Sequence, residues 1–307
     1  MIDKSARVDR NAIRAFICLR NEMARLPYFL AHHRRLGVGH FYVVDNDSTD
    51  DGHAFLAEQP DVSLWHTTNS YRAARFGLDW INWLMARHGH GAWCLLLDAD
   101  ELLVYADYAK QDLHQLTEWL DRRGQHAFGA LMLDLYPRGA LGVAAASNDP
   151  LQVLEGFDAG PYRAARQGPL GNLWVQGGPR ERVFFAQNMR RAPTLNKLPL
   201  VRWHRHYTFV NSAHSVLPRR LNFEYDGPGG SAPSGILLHT KFLPDVLDRA
   251  DEDLDRRQHF HDPDAFAGYY NELKAAPTLW HEDTRRYAGW QQLLDLGLMT
   301  DGGFANH

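Results

Sequence analysis

The apolar run from Ala92 to Leu97 is followed at once by Asp98-Ala99-Asp100-Glu101. Read as the end of a strand, where side chains alternate with period two, Asp98 and Asp100 point the same way with Cα atoms within roughly 7 Å. They could then share one ligand. A diphosphate brought close to two carboxylates is repelled by roughly 4 kcal/mol per charge pair, taking about 4 Å and an effective dielectric of about 20. A divalent cation between them reverses that sign. Hard carboxylate oxygens select Mg²⁺ or Mn²⁺, which would stabilise the charge developing on a leaving diphosphate. The plain alternative is a set of solvated loop carboxylates after a strand.

Other residues could join this chemistry. Arg72 and Arg75 precede or open a helical pattern, where a guanidinium and a helix N-terminus together can hold phosphate; a solvated helix face is the competing account. His239 follows an apolar run with Lys241 two residues on. His204 and His206 could form a zinc site, but no cysteine accompanies them. If an attacking hydroxyl must lose a proton, Glu181 is the first candidate base. It lies in Gly177-Gly178-Pro179-Arg180-Glu181-Arg182, where glycines permit close backbone approach to a ligand. Its arginine neighbours would instead make it half of a salt bridge and a weaker base. Asp134, just beyond the strand Ala130 to Leu133, is the second candidate.

These residues need elements to position them. Ala15 to Leu19 reads as a strand. A helical pattern follows through Leu26, Phe29, Leu30, His33 and Leu36, closed by Gly37. Phe41 to Val44 is a second strand, Ser48 to Gly52 supplies turn and capping chemistry, a helix runs from about His53 to Gln59, and Val62 to Trp65 is a third strand. A longer helix is expected from about Ala73 to Arg87 before the strand ending at Leu97. Continuous apolar strands are buried on both faces, so the pattern predicts an α/β, doubly wound, mostly parallel Rossmann-like sheet with ligands beyond its carboxyl ends. After Leu133 the rhythm breaks, dividing the chain into residues 1–133, a nucleotide-binding half, and 134–307, an acceptor half, within what reads as one continuous domain. Strands are expected at Val183 to Phe185, Leu200 to Trp203, Tyr207 to Val210 and Ile236 to Leu238, and helices at Asp245 to Tyr270 and Tyr287 to Leu298.

Composition narrows the class. The 307 residues are 45% hydrophobic and 23% charged with a net charge of -4, which argues against nucleic acid as a partner. The charged start and the lack of any run of about eighteen apolar residues predict a soluble, cytoplasmic chain without a transmembrane segment, peripheral membrane association staying open. Cys18 and Cys94 sit in apolar runs, where free thiols act as small core hydrophobes.

Leu19-Arg20-Asn21-Glu22, Leu36-Gly37-Val38, Phe41 to Asp45 with the Asx-rich Asn46 to Gly52, and Asp98-Ala99-Asp100-Glu101 together resemble the glycosyltransferase family 2-like proteins of bacteria, over roughly residues 10 to 110. A looser echo runs through Gly177 to Arg182 and Leu237 to Phe242. The resemblance implies a GT-A fold and a D-x-D motif. It also implies a nucleoside-diphosphate sugar donor, of UDP type, and a glycan or other hydroxyl acceptor. It assigns Asp45 to the nucleobase, whose N–H a carboxylate can accept, and borders the nucleoside with Arg20, Asn21 and Glu22. Asp98 would take the ribose or share the metal, Asp100 would be its direct ligand, and His239 would complete the shell. For Asp47, Ser48 and Asp50 an Asx-rich turn capping the next helix is the better account than ligand contact.

Two other classes compete. A haloacid-dehalogenase-like phosphatase also spaces two aspartates by one residue, but on its first strand and followed by Gly and Thr. A nucleotidyltransferase needs a Gly-rich basic loop after its first strand, where this chain has Arg20-Asn21-Glu22. A catalytically silent nucleotide- or glycan-binding scaffold is the non-enzyme alternative.

Overall fold

The computed structural model describes residues 1–143, 147–256 and 263–306. Strands β1 (Ile13–Leu19), β2 (Val38–Asp45), β3 (Val62–His66) and β4 (Trp93–Leu96) alternate with helices α1 (Leu26–Arg35), α2 (Gly52–Glu58) and α3 (Leu78–His88). β5 (Glu101–Val104) then leads through α4 (Leu113–Arg122) to β6 (Ala127–Asp134). Further on come α5 (Gly178–Phe184), β7 (Asn196–Arg202), β8 (Ser234–His239), α6 (Val246–Arg256), α7 (Pro263–Lys274) and α8 (Trp290–Asp295).

The eight named strands form one sheet in the order β3-β2-β1-β4-β7-β6-β8-β5. β3, β2, β1 and β4 run parallel, as do β6 and β8, while β7 is antiparallel to both its neighbours and β5 to β8. The chain is thus an α/β protein with a Rossmann-like half, and strands from both sides of residue 134 share its single sheet. All four residues of β4 and all eight of β6 are buried, which is why these segments read as continuous apolar runs; each fully buried leucine contributes about 2 kcal/mol. Local signals set the helix ends. Pro27 opens α1, left-handed Gly37 follows it, and Asp112 with Gln115 forms a capping box on α4.

Several boundaries differ from the sequence expectation. The helix expected from Ala73 starts at Leu78, because Arg75, Phe76 and Gly77 are consecutively left-handed and a helix cannot pass through them. A Cβ on Gly77 would stand 2.7 Å from the Cys18 sulfur, so glycine permits both the turn and its packing on β1. Val183 to Phe185, expected as a strand on its β-branched and aromatic content, instead ends α5, which Pro179 opens. The Asp245 to Tyr270 helix is α6 and the start of α7, with residues 257–262 outside the described ones. No helix among the described residues is long and apolar enough to cross a membrane.

Candidate functional site

Chain order reverses between neighbouring β1 and β4, and a doubly wound sheet binds ligands beyond the carboxyl ends at such a switch point. A cavity of about 600 Å³ opens there, lined by Arg20 and Glu22 after β1, Asp98 and Asp100 after β4, and His239 and Lys241 at the end of β8. That volume suits a small molecule.

The alternation of β4 stops at Leu96. Residues 98–101 make a tight turn in which Glu101 N donates to the Asp98 carbonyl at 3.1 Å and Asp98 N donates to Glu101 Oε2 at 3.0 Å. Asp98 and Asp100 therefore diverge. Asp98, half exposed, meets Lys197 Nζ at 2.5 Å. The same ammonium lies 2.6 Å from Oε1 of the fully buried Glu101. Burial pushes Glu101 up to about 7 against the pull of Lys197. Lys197, despite its burial, is held above its ordinary range by the two carboxylates.

Asp100 turns the other way, with Oδ2 3.1 Å from His239 Nε2. The opposite ring nitrogen, Nδ1, lies 2.6 Å from Asp134 Oδ1, and Arg180 Nε donates to Asp134 Oδ2 at 2.7 Å. Thr240 N and Oγ1 both donate to the Asp100 carbonyl, at 2.7 and 3.0 Å, which pins the turn to β8. Burial works against charge throughout this row, yet the partners prevail. His239 is raised above its ordinary value by Asp100 and Asp134, Asp100 is held well below its own by His239, and Asp134 is lowered by Arg180 and His239.

Arg180 reaches the row from α5. Gly177 before it is left-handed, where a Cβ would stand 2.7 Å from the Pro161 carbonyl oxygen. Arg180 Nη2 is buried without a hydrogen-bond partner and its residue lines the cavity. Lys241 likewise lines the cavity with no ion-pair partner among the described residues, and burial lowers its pKa. Arg190 and Arg191 add exposed positive charge to the same wall. Lys241 and the spare Nη2 of Arg180 thus offer N–H donors to an anion in the cavity.

α6 closes the side next to β1. Arg249 makes a two-pronged pair with Glu22, Arg20 Nε donates to Glu252 at 2.5 Å, and Asn21 Nδ2 donates to Glu252 at 2.9 Å. The Arg20-Asn21-Glu22 turn expected to border a nucleoside is therefore clamped to α6, with Arg20 and Glu22 on the cavity wall and Asn21 behind it.

The structure brings together Asp98, Asp100, His239, Lys241, Arg20 and Glu22 around the cavity and places the other candidates elsewhere. Asp98, Asp100 and His239, expected to share one ion, do not converge: the turn sends Asp98 to Lys197, and only Asp100 stands beside His239. Asp134, expected as a base, stands behind His239, locked by that ring and Arg180. Glu181 is held two-pronged by Arg163, at 2.8 and 2.6 Å, outside the cavity lining. Asp45 is fully buried against Ser48 N, His53 and His66 rather than open to a base. Arg75 pairs with Asp79 on the exposed start of α3, and Arg72 is exposed; neither lines the cavity.

Sequence reasoning missed Lys197 and the partner role of Arg180. The signal for the first was a lysine heading the apolar run of β7. For the second it was the arginine beside the glutamate that drew attention as a base.

No protein-family model matches the chain, and no curated protein matches it. Among solved structures, it is similar to a 4-diphosphocytidyl-2C-methyl-D-erythritol synthase at 15% identity and a TM-score of 0.27, over 43% of this chain and 65% of that one. It is similar to HddC from Yersinia pseudotuberculosis at 9% identity and a TM-score of 0.30, over 69% and 80%. A third is a putative glucose-1-phosphate thymidylyltransferase from Bacillus anthracis in complex with a sucrose, at 7% identity and a TM-score of 0.30, over 85% and 83%. Likenesses this distant say nothing of the reaction, which has to be read from the cavity's own residues.

Proposed function

We propose that the chain is a glycosyltransferase of GT-A type, similar to the family 2 enzymes, which moves a sugar from a nucleoside-diphosphate sugar to a glycan or other hydroxyl acceptor. The observation that carries this reading is the meeting, in one cavity at the β1/β4 switch point, of the spare Nη2 of Arg180 and of Lys241, which has no ion-pair partner among the described residues, with the carboxylates Asp98 and Asp100. Arg180 and Lys241 would hold the diphosphate oxygens by charge-assisted hydrogen bonds. The Arg20 to Glu22 turn and α6 would flank the nucleoside.

Of Mn²⁺ and Mg²⁺, the donor set of one carboxylate and one imidazole at Asp100 and His239 fits Mn²⁺ better, since Mg²⁺ takes oxygen ligands. Oδ2 and Nε2 are 3.1 Å apart, and the Asp134 carboxylate on the far ring nitrogen fixes the tautomer that presents Nε2. Bound there, the cation would offset charge on the departing diphosphate. Lys197 meanwhile keeps Asp98 and Glu101 from repelling the same diphosphate, by supplying a positive charge between them. With Asp134 locked and Glu181 outside the cavity, neither is in place to deprotonate the acceptor, which favours a retaining outcome at the anomeric carbon.

The test is a panel of nucleotide sugars, read by thermal unfolding and by release of nucleoside diphosphate with and without Mn²⁺. A donor at a hundred times its Kd adds about 2.7 kcal/mol of stability, and its turnover should vanish in Asp100→Asn. If no nucleotide sugar shifts unfolding and none is turned over, the reading fails.

A further inference from the structure

Away from the cavity, the carboxyl ends of β2 and β3 carry a second convergence of ligating groups. Asp45 ends β2 and is fully buried, His53 stands on the first turn of α2, and His66 ends β3 beside Asp45 in register. His53 Nδ1 lies 2.6 Å and His66 Nδ1 3.4 Å from the same oxygen, Asp45 Oδ2. The two rings stand at 88° with centroids 5.4 Å apart, and all three ligand atoms lie within 4.8 Å of one another. No other such grouping occurs among the described residues.

We propose that Asp45, His53 and His66 form a binding site for a divalent transition ion of the Zn²⁺ class, separate from the proposed sugar-transfer site. Ligand atoms around a tetrahedral zinc stand about 3.4 Å apart, as its bond lengths of about 2.0 to 2.2 Å require. The separations from Asp45 Oδ2, 2.6 and 3.4 Å, lie just below and at that spacing, and a small rotation of the His53 ring would admit the ion. Two imidazoles and one carboxylate suit Zn²⁺ and its neighbours, whereas Mg²⁺ takes oxygen ligands. The second Asp45 oxygen accepts from Ser48 N at 3.0 Å, which fixes the carboxylate and leaves Oδ2 for the ion. The histidine side chains are 43% and 41% exposed, giving the ion a path in and a fourth position for water. Such an ion ties β2, α2 and β3 together directly behind Asn46, which lines the cavity. Its function is to hold that wall of the donor pocket.

Chelator-treated full-length protein is titrated with ZnCl₂ by calorimetry and with CoCl₂ by visible absorption, in the natural chain and in His53→Gln, His66→Gln, His204→Gln and Asp100→Asn. The natural chain should take one tightly held equivalent and give the intense absorption of four-coordinate cobalt. His53→Gln and His66→Gln should each weaken that equivalent at least about 100-fold, more than losing an outer partner costs. His204→Gln and Asp100→Asn should leave it intact. Both rings of the site are half exposed, so circular dichroism should show the two variants folded; if either is not, replacement by Asn at the same position takes its place. The proposal is overturned if the natural chain binds no Zn²⁺, if both site variants bind it as tightly as the natural chain, or if the equivalent is lost in His204→Gln or Asp100→Asn instead.

Discussion

Lys197 and Glu101 are sealed from water together. The ammonium at the head of β7 lies 2.6 Å from a carboxylate that begins β5, three strands away across the sheet. Their side chains are 3% and 0% exposed, so neither charge has bulk water to fall back on.

Removing one partner of a buried pair strands the other. Lys197→Met should destabilise the chain by about 3 kcal/mol, and adding Glu101→Gln should recover most of that loss. Denaturant unfolding of the four members of the cycle measures it, and a double-variant loss equal to the sum of the two single losses would show the pair to be energetically idle.

Lys241 should behave in the opposite way. It is desolvated without an ion-pair partner among the described residues, so Lys241→Met is expected to leave stability unchanged or slightly raised. Affinity for a nucleoside diphosphate should fall about 10- to 100-fold, in keeping with about 1.5 to 3 kcal/mol for a hydrogen bond to a charged group. Unfolding and UDP titration of the same preparation give both readings; a loss of stability with unchanged UDP affinity would mark the lysine as structural.

His239 makes stability depend on pH with a definite sign. Its folded pKa is raised by Asp100 and Asp134, so the stability it contributes is fully present below its ordinary value near about 6.5. That stability is lost as pH rises through the folded value. The metal-free natural chain, compared with His239→Gln, should therefore lose an advantage across that window. Metal binding runs the other way, since only the neutral ring can ligate: the Mn²⁺ concentration for half-maximal activity should fall as pH rises through the same range. A pH-independent difference between the two proteins would contradict the pairing.

The two candidate bases should separate cleanly. Glu181→Gln disturbs only the pair with Arg163 outside the cavity and should leave turnover within about twofold, the small effect of a half-exposed ion pair. Asp134→Asn removes the group that orients His239 and should raise the Mn²⁺ requirement about 10- to 100-fold. Steady-state kinetics over a range of Mn²⁺ decides both.

Much of the Rossmann-like half was legible because its strands are buried on both faces and leave continuous apolar runs, from Ala15 to Leu19 through to Leu97. The carboxylates beyond Leu97 were legible as a site but not in their geometry. Period-two alternation applies only inside a strand, and the backbone bond from Glu101 to Asp98 had already turned the chain. The cationic side of the cavity was hidden because Arg180, Lys197 and Arg249 converge from α5, β7 and α6, far apart in sequence. Asp45 drew notice, but no local pattern announces that His53 and His66 would close on it from a helix and a neighbouring strand.

Because β7 runs against β4 and β6, it delivers its first residues, not its last, to the rim where the parallel strands end. The segment just before β7, carrying Arg190 and Arg191, therefore overhangs the cavity mouth while the strand behind it stays fixed in register by both neighbours. Residues 186–191 are all exposed and form the variable part of that overhang, whereas Ala192, Thr194 and Leu195 are buried and anchor it to the core. Exchanging the exposed residues would change the charge at the cavity mouth without asking the sheet to refold.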